Sequence, residues 1–209
     1  MIDAASAQPA TGDDRALIDA AARGDAAGVA RLLKAGASVR ARDGTGRTAL
    51  LAATYGGHVA AARALIAAGA DVNAKDDQEN SAYLLAGARG LTAILRLTLA
   101  NGADLKSVNR YGGTALIPAA HYGHVETVRV MLGTAVDVDH VNKLGWTALL
   151  EAIILGDGGP RHAEIVRLLL EAGAAPGKPD GQGVTPLEHA RKRGQTDIAR
   201  MLEAATTRR

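Results

Sequence analysis

The stretch 46–58 reads GRTALLAATYGGH, and variants of it recur along the chain at a fixed interval. Thr48 in this stretch corresponds to Ser81 in ENSAYLLAGARGL, which gives a period of about 33 residues. Two further steps of the same length reach Thr114 in GGTALIPAAHYGH and Thr147 in GWTALLEAIILGD. Self-similarity at a fixed period of this length predicts a repeat protein, in which each copy forms one supersecondary unit.

The same period extends toward both ends of the chain. DDRALIDAAARGD places Arg15 one period before Thr48. GVTPLEHARKRGQ places Thr185 one period and five further residues after Thr147, so five residues are inserted in the fifth copy. A glycine keeps its phase through all six copies, at Gly24, Gly57, Gly90, Gly123, Gly156 and Gly194. The sequence therefore predicts six repeats that cover most of the chain.

Each repeat carries start and stop signals for helices. In five copies Ser or Thr stands directly before an apolar run, where its side chain can cap the exposed amides of a helix start. The in-phase glycines stand where a helix must stop and the chain can take a positive φ. Apolar residues then recur at helical spacing, as at Val125, Val128 and Leu132. Two short helices per repeat are predicted, and repeats must stack because one alone cannot bury its apolar face.

These features resemble the ankyrin repeat family, whose unit has about 33 residues. The family pattern is D-x-x-G-x-T-P-L-H-x-A-A, a Gly-His pair, an apolar helix and then G-A-D-x-N-A. Thr48-Ala49-Leu50, Gly57-His58 and Gly69-Ala70-Asp71-Val72-Asn73-Ala74 match it, and the resemblance covers about residues 14–205. It implies an all-α repeat solenoid of ankyrin-like helix-turn-helix units joined by short β-hairpin loops.

The repeat phase also predicts the domain boundaries. Residues 1–12 are expected to be a disordered lead-in, 13–205 a single ankyrin-repeat domain, and 206–209 a frayed tail. The six repeats span about 13–42, 43–75, 76–108, 109–141, 142–179 and 180–205.

Several positions depart from the family pattern. In the third repeat Tyr83 replaces Leu, and we expect it to fill the core with its hydroxyl at the rim. Ala135 replaces a helix-ending glycine, which predicts that the preceding helix ends early. The insertion, about 157–161, contains Gly158-Gly159-Pro160 and is predicted to be an extended loop. Both a contact role and simple tolerance are open for this loop.

Composition and charge argue against several classes of protein. Lys plus Arg number 24 and Asp plus Glu 22, spread along the whole chain, whereas nucleic-acid-binding proteins concentrate basic residues on one face. There is no cysteine, so disulfides, thiol nucleophiles and Cys-based zinc sites are excluded. No stretch approaches the roughly 20 continuous apolar residues of a membrane span. We therefore expect no nucleic-acid partner and no membrane span.

The sequence offers no catalytic or cofactor motif. It contains neither a Walker-type phosphate loop nor a dinucleotide fingerprint. His121 and His124 are close in sequence, but the repeat phase puts them on either side of a helix break. His58 shares the phase of His124, which favours a repeated structural hydrogen bond over a metal site. We expect a non-enzyme with no cofactor and no metal ligands.

The N-terminal residues bear on localisation. Ala5-Ser6-Ala7 before Gln8-Pro9 has the small-x-small form of a signal-peptidase site, but no apolar segment precedes it. An Ala-rich lead-in and the remnant of an export signal are both open. The composition, rich in Ala, Arg and Gly, is typical of a high-GC bacterium. The cytoplasm and the bacterial periplasm are therefore both candidate locations.

The family resemblance places a binding surface on the hairpin tips and the exposed side of the first helices. Four of the five aromatic residues fall at these phases, and Tyr, Trp and Arg dominate binding energy at protein interfaces. Packing of these rings against neighbouring repeats is the alternative interpretation. The candidate partner-binding residues are Arg47, Tyr55, Arg89, Arg110, Tyr111, His121, Tyr122, Lys143, Leu144 and Trp146.

The leading hypothesis for function is a non-catalytic module that binds an unidentified partner protein on its concave face, as a monomer. Two alternatives are a structural, self-associating repeat protein and an accessory or protective factor for a partner enzyme, as in periplasmic ankyrin proteins.

Overall fold

The computed structural model describes residues 11–207, in which twelve α-helices and no β-strands occur. The helices are α1 (Gly12–Ala22), α2 (Ala26–Lys34), α3 (Ala49–Gly56), α4 (Val59–Ala67), α5 (Ala82–Ala88), α6 (Thr92–Leu99), α7 (Leu116–His121), α8 (Val125–Leu132), α9 (Ala148–Ile154), α10 (Pro160–Glu171), α11 (Pro186–Lys192) and α12 (Thr196–Thr207). Consecutive helices form six pairs, one pair in each sequence repeat.

Contacts within the chain group the described residues into two compact units. The N-terminal unit contains residues 11–85 and 93–103, and the C-terminal unit contains 86–92 and 104–207. In the N-terminal unit α1 packs on α2 and α3, and α4 packs on α2 and α3. In the C-terminal unit α9 packs on α7, α10 and α11, while α10 also contacts α8 and α12. First helices thus stack on first helices, and second helices on second helices.

The core of both units is made of small and aliphatic side chains. Leu50, Leu65, Leu116 and Leu149 are at most 1% exposed, and alanines fill the space between them. Burial of one such leucine contributes about 1.5–3 kcal/mol, and stacked repeats supply it many times over. Tyr83 is fully buried, so the prediction that it fills the core is confirmed, whereas the prediction that its hydroxyl lies at the rim is wrong, because the hydroxyl is buried too.

Tight turns join each helix pair to the next. The predicted loops are present, but they are not β-hairpins, since no strand forms within residues 11–207. In the first such turn Asp43 Oδ1 accepts hydrogen bonds from the backbone amides of Thr45 and Arg47, at 2.9 and 3.1 Å. Apart from the bond of Gly46 N to Asp43 O, one backbone hydrogen bond closes this turn, from Asp43 N to Arg47 O at 3.0 Å. A side-chain oxygen thus replaces a ladder of backbone bonds. The same arrangement recurs at Asp76, Asn109, Asn142 and Asp180.

Four of the five predicted hydroxyl caps are present. Their side-chain oxygens accept from the backbone amide three residues on, as at Thr48, Ser81, Thr147 and Thr185. Thr114 is the exception, because Pro118 has no amide to bond the Thr114 carbonyl and Ile117 N takes that carbonyl instead, at 3.3 Å. Helix α7 consequently begins only at Leu116.

A side chain from one repeat bonds the end of the first helix of the repeat before it. His58 Nε2 lies 3.0 Å from the Ala22 carbonyl, and His124 makes the equivalent backbone hydrogen bond to Ala88. The predicted structural hydrogen bond of these histidines is confirmed. His162 Nε2 does the same to the His121 carbonyl, at 2.8 Å. This role was not predicted from the sequence, although His162 is where the family histidine falls once five inserted residues are counted.

The insertion and the chain ends differ from expectation. Only 155–159 separate α9 from α10, and Pro160 is the first residue of α10, where its missing N–H costs nothing. Part of the predicted loop therefore lengthens a helix. Thr206 and Thr207, predicted to belong to the frayed tail, complete α12. Thr11 caps α1, so this helix begins inside the predicted lead-in of residues 1–12, and Ala5-Ser6-Ala7 lies outside the described residues.

Helix α8 ends at Leu132, but α6, which keeps its glycine at Gly102, ends at the same phase at Leu99, so the early end does not depend on Ala135. Helix α8 stops one residue short of the position at which α2 and α4 end. Ala135 does not take the positive φ that glycine adopts at the equivalent positions Gly36 and Gly69.

Candidate interaction surface

The two candidate residues of the N-terminal unit are engaged within that unit. Arg47 Nη2 lies 2.7 Å from Asp43 Oδ2, and its guanidinium lies 5.9 Å from the centre of the Tyr55 ring. Tyr55 donates its hydroxyl hydrogen to Asp76 Oδ2 at 2.9 Å and accepts from Asn80 Nδ2 at 3.0 Å. Desolvation and the Asp76 carboxylate raise the pKa of Tyr55. Arg47 and Tyr55 therefore stabilise the turns at Asp43 and Asp76 as well as forming part of the candidate binding surface.

The residues that directly follow Asn109 and Asn142, at the outer ends of these turns, are called the tips. Those of the C-terminal unit carry larger side chains than the tip at Thr45. The Arg110 guanidinium lies 4.8 Å from the centre of the Tyr111 ring, and Arg110 Nη2 donates to the Tyr111 hydroxyl at 2.9 Å. Lys143 N donates to the Tyr111 carbonyl at 2.9 Å, and Lys143 Nζ donates to the Arg110 carbonyl at 2.8 Å. Leu144, the next residue, is 57% exposed. These four candidate residues therefore lie together on two adjacent tips.

Helix α7 ends on a stacked pair of rings. The rings of His121 and Tyr122 are 4.2 Å apart and nearly parallel, and Tyr122 is 56% exposed. Burial, with the nearby His162, lowers the pKa of His121. These two candidate residues are neighbours in the sequence, and His121 is half-buried.

A buried carboxyl group links this helix end to the tips. Glu151 Oε2 in α9 lies 3.6 Å from His121 Nδ1, and Glu151 Oε1 accepts from Asn142 Nδ2 at 2.8 Å. Asn142 Oδ1 in turn accepts from the amides of Leu144 and Trp146. Burial raises the pKa of Glu151 to about 7, against the opposite effect of the Asn142 hydrogen bond. Sequence analysis missed Glu151, whose only signal is a charged residue inside an apolar helix pattern.

The remaining candidates differ in exposure. Trp146 is half-buried, so its ring packs partly against the protein, in line with the alternative interpretation. Arg89 is exposed and follows α5 directly. Its neighbour Ala88 is bonded by His124, whose ring centre lies 6.1 Å from that of Tyr122.

Exposed large apolar side chains are confined to the C-terminal unit within the described part of the chain. They are Tyr111, Tyr122, Val141, Leu144 and Leu155, each between 41% and 57% exposed. Val141 and Leu155 are not among the ten candidates. Leu155 lies one repeat period after Tyr122, and this phase predicts it on the same surface.

An open cavity of about 470 Å³ lies at the turn that follows α9. It is lined by Gly156, Asp157, His189, Lys192, Arg193 and Gln195. Asp157 Oδ1 is bonded to His162 Nδ1 at 2.6 Å, and Asp180 Oδ2 to His189 Nε2 at 2.8 Å. The hydrogen bond from His189 is the largest contribution that lowers the pKa of Asp180.

Potential metal ligands are dispersed over residues 11–207. No group of three or more His, Asp or Glu side chains there could hold a metal ion. None of the helices in this part of the chain is long and apolar enough to cross a membrane.

Comparison with known proteins adds the family context. The family described as ankyrin repeats (3 copies) matches residues 5–76 and 83–180. A crystal structure of an ankyrin repeat domain from Acinetobacter baumannii AYE is 56% identical, with a TM-score of 0.88, and the match covers 91% of this chain and 97% of that one. A second crystal structure, of an ankyrin repeat protein, is 39% identical, with a TM-score of 0.88 over 92% of this chain and 98% of the other.

Two more distant comparisons agree. The ankyrin repeat domain of Bcl-3, a member of the IkappaB protein family, is 28% identical, with a TM-score of 0.81 over 91% of this chain and 85% of that one. The Escherichia coli K12 ankyrin repeat protein YahD is 56% identical over 55 residues, which are 26% of this chain and 27% of YahD. The chain therefore matches only about a quarter of the length of YahD. The predicted all-α repeat solenoid is confirmed by these structures.

Proposed function

Because the chain belongs to the ankyrin repeat family, whose domains are generally protein-interaction scaffolds, we propose that it is a non-catalytic module that binds a partner protein. The partner contacts the C-terminal face, which we define as Tyr111, Tyr122, Leu144 and Leu155 together with the charged side chains beside them.

One observation carries the proposal. Within residues 11–207 every exposed large apolar side chain lies in the C-terminal unit, although both units are built from the same repeat. Contiguous apolar side chains on a surface are typical of interaction sites, whereas single scattered ones are common everywhere. A contact path from Tyr122 through His121, Glu151 and Asn142 reaches the backbone amide of Leu144, so it connects two of the four members of this face.

The residue types suit a binding surface. Tyr and Arg are enriched among residues whose truncation weakens protein complexes most. Tyr111 and Tyr122 are held by Arg110 and His121, so little side-chain entropy is lost when a partner covers them. Removal of exposed apolar area from water then contributes about 25 cal/mol per Å².

The proposal is tested by affinity capture from a lysate of the organism that encodes the chain, with mass-spectrometric identification. We expect Tyr111→Ala and Tyr122→Ala to leave helicity and melting nearly unchanged and to weaken capture of the partner by about 1 kcal/mol or more. Tyr55→Ala is the matched control in the N-terminal unit. It should lower stability, because the bonds to Asp76 and Asn80 are lost, and leave capture unchanged.

Two results would contradict the proposal. Equal capture by the wild type and both C-terminal variants would remove this face from the interaction. Light scattering distinguishes self-association, since the monomer has a mass of 21.4 kDa. A doubled mass that Leu144→Asp returns to the monomer value would assign the exposed leucine to a second copy of the chain.

A further inference from the structure

The open cavity at the turn after α9 is lined by one glycine and by residues with polar or charged side chains. Its volume is about 470 Å³. Cavities of about 300–1,000 Å³ are typical of small-molecule sites, but most of those are lined mainly by apolar side chains. A ligand that fits this cavity is therefore polar over most of its surface. The lining residues are Gly156, Asp157, His189, Lys192, Arg193 and Gln195.

Gln195 supplies a buried hydrogen-bond acceptor that the protein leaves unused. The residue is only 8% exposed, and its Oε1 has no hydrogen-bond partner within residues 11–207. The orientation of the amide is fixed, because Nε2 donates to the Ile153 carbonyl at 3.0 Å. A buried acceptor without a partner is costly, so a ligand that brings an N–H donor into the cavity would be stabilised here.

The repeat pattern marks Gln195 as a departure. His58, His124 and His162 occupy the same phase in three earlier repeats, and each bonds the end of the first helix before it. Gln195 makes the corresponding bond through its amide nitrogen. Histidine meets this need with a ring nitrogen, whereas glutamine adds an amide oxygen to a residue that lines the cavity. Stacking of the repeats therefore needs the nitrogen of Gln195 and not its oxygen.

Asp157 adds a negative charge with one oxygen still available. Its side chain is 65% exposed, and its Oδ1 lies 2.6 Å from His162 Nδ1 and accepts from Gly159 N at 2.9 Å. Neither of these bonds uses Oδ2. The hydrogen bonds from Gly159 and His162 lower the pKa of Asp157, so it is a carboxylate at neutral pH. The cavity thus offers both an anion and a neutral acceptor to a ligand that carries N–H donors.

Lys192 and Arg193 bring the opposite charge to the same cavity. Both are exposed, and neither forms an ion pair with a described residue. His189 is held by Asp180, whose Oδ2 lies 2.8 Å from its Nε2. An acidic ligand alone would pair with Lys192 and Arg193 but add negative charge beside Asp157, and like charges placed together cost binding energy. A ligand with charges of both signs matches this lining.

We propose that this cavity binds a small zwitterion of the amino-acid type. Its ammonium group donates to Asp157 Oδ2 and to Gln195 Oε1. Its carboxylate pairs with Lys192 and Arg193. A free amino acid and a short peptide share this chemistry, and both are polar enough for the lining. The inference goes beyond the proposed function, because it concerns a small ligand and not the partner protein.

Inorganic phosphate and a buried water molecule are the competing occupants. Phosphate would pair with the two cations, but it places further negative charge beside Asp157. Water bonds buried polar groups in many proteins and would satisfy Gln195 Oε1, but it does not neutralise the charges of the cavity. The zwitterion satisfies the unused acceptor and both signs of charge together.

The experiment is a titration of the isotopically labelled full chain with L-glutamine, followed by NMR at the backbone amides of Gly156, Gly158 and Gln195. Gly158 is a suitable reporter because it lies against the Gln195 side chain. We expect saturable shifts with a Kd of about 1 mM, as befits so small a ligand. N-acetyl-L-glutamine lacks the ammonium and the α-amide of L-glutamine lacks the carboxylate, so each should bind about tenfold more weakly.

A peptide arm distinguishes the two sources of the ligand. Glycyl-L-glutamine separates the ammonium from the carboxylate by one further residue. Tighter binding of this dipeptide than of L-glutamine would assign the cavity to short peptides, and weaker binding would assign it to free amino acids. Either result supports a zwitterion site.

Gln195→His separates the ligand site from the fold. It keeps a ring nitrogen for the preceding helix end, as His58 does, and removes the amide oxygen. It should weaken L-glutamine binding about fivefold, while the melting temperature stays close to that of the wild type. Arg193→Gln should weaken binding of L-glutamine and leave that of its α-amide unchanged, because the α-amide has no carboxylate to lose.

The matched control is Arg191→Gln. Arg191 lies on the same helix and carries the same charge, but it is not among the lining residues and pairs with Glu203 at 2.7 Å. This variant should bind L-glutamine like the wild type. Equal weakening by Arg191→Gln and Arg193→Gln would mean that only overall charge matters, which overturns the site.

Three other results would overturn the inference. Equal binding of L-glutamine and N-acetyl-L-glutamine would remove the ammonium from Asp157 and Gln195. Shifts of the same amides with sodium phosphate and none with L-glutamine would assign the cavity to an anion. No shifts with any of these probes would leave water as the occupant. The proposed function is decided separately, by capture with Tyr111→Ala and Tyr122→Ala.

Discussion

Equivalent positions carry opposite chemistry in the two units. Thr45 on a tip of the N-terminal unit corresponds to Tyr111 in the C-terminal unit, and Gly56 at a helix end corresponds to Tyr122. The Thr45 hydroxyl donates to Asp43 Oδ1 at 2.8 Å, so it is used within its own turn, whereas Tyr111 and Tyr122 project 56% of their surface into solvent. The position of Thr45 is thus used within the turn of the N-terminal unit, whereas the equivalent Tyr111 forms part of a candidate binding face in the C-terminal unit.

The features that the two units share lie at the backbone. Both use an oxygen of Asp or Asn to close each turn, and both use a histidine to bond the helix end of the preceding repeat. These bonds involve residues set back from the exposed positions. A repeat can therefore change its exposed side chains without loss of the contacts that stack it.

The largest expected effect comes from substituting a glycine that each unit places against a histidine ring. Gly24 and Gly90 have φ of +73° and +66°, and a Cβ would come within 2.5 and 2.6 Å of the Nδ1 atoms of His58 and His124, respectively. Gly24→Ala and Gly90→Ala should each lower the free energy of unfolding by about 2–4 kcal/mol, as measured by urea denaturation. The two losses should be similar, because the arrangement is the same in both units.

Gly36→Ala separates strain from crowding. Gly36 also has a positive φ, +95°, but a Cβ there would meet nothing within 4 Å, so a loss of only about 1 kcal/mol is expected. In a His58→Ala background Gly24→Ala should cost no more than Gly36→Ala does. If the cost of Gly24→Ala is undiminished there, the histidine contact is not its cause.

The next largest effect is a pH dependence of stability that arises from a buried carboxyl group of the C-terminal unit. Glu151 is buried in the C-terminal unit, and the equivalent residue of the N-terminal unit is Ala52. Burial raises the pKa of Glu151 from 4.5 to about 7, so the folded state binds its proton more tightly than the unfolded state. Stability from this group is complete below about pH 4.5 and is lost as the pH rises to about 7.

Glu151→Gln keeps an acceptor for Asn142 and cannot ionise. The wild type loses the contribution of Glu151 as the pH rises, and the variant does not. The unfolding free energy of Glu151→Gln minus that of the wild type should therefore grow by about 2 kcal/mol between pH 4.5 and 7.5 and then stay level. The difference is used because His121, whose pKa is lowered, contributes stability that is lost as the pH falls, in both proteins. Urea denaturation across this range provides the measurement.

Glu188→Gln should move in the opposite direction, since hydrogen bonds from Thr185 lower the pKa of Glu188. Its contribution is present above the unfolded pKa and is lost on acidification. A flat difference for Glu151→Gln across the range would show that Glu151 ionises in the folded protein as it does in the unfolded one.

The sequence predicts the helical frame well because the frame depends on local signals. The capping hydroxyls, the glycines of positive φ and the phase of His58 and His124 are all visible at fixed spacing. The absence of strands was missed, because the turns are closed by side-chain oxygens at Asp43 and its equivalents. His162 was missed because the insertion shifts it by five residues from the expected phase.

The candidate face was only partly predictable, because the exposure of a side chain depends on its neighbours in the adjacent repeat. The phase of Trp146 places it at the face, yet its ring is half-buried. Tyr55 has the phase of an exposed residue but is held by Asp76 and Asn80 of the following turn. Repeat phase gives the position of a side chain, and the adjacent repeat decides whether that side chain is free to contact a partner.

The smallest expected effect tests the one cap that differs between equivalent positions of the units. Thr48 Oγ1 accepts from Leu51 N at 3.2 Å, whereas Thr114 Oγ1 is buried and has no hydrogen-bond partner in the described chain. Thr48→Val, which keeps the side-chain shape, should cost about 1 kcal/mol of unfolding free energy. Thr114→Val should be neutral or slightly stabilising, because it replaces a hydroxyl that is desolvated without compensation.

The cause of this difference is Pro118, and it can be tested directly. Pro118→Ala supplies the missing amide, which can bond the Thr114 carbonyl as Ala52 N bonds the Thr48 carbonyl at 2.9 Å. Ile117 N is then released to the Thr114 hydroxyl, so α7 should begin at the same phase as α3. In the Pro118→Ala background Thr114→Val should cost about as much as Thr48→Val. If Thr114→Val stays neutral there, the proline is not the reason that the cap is missing, and packing around Thr114 must hold its hydroxyl away from the helix start.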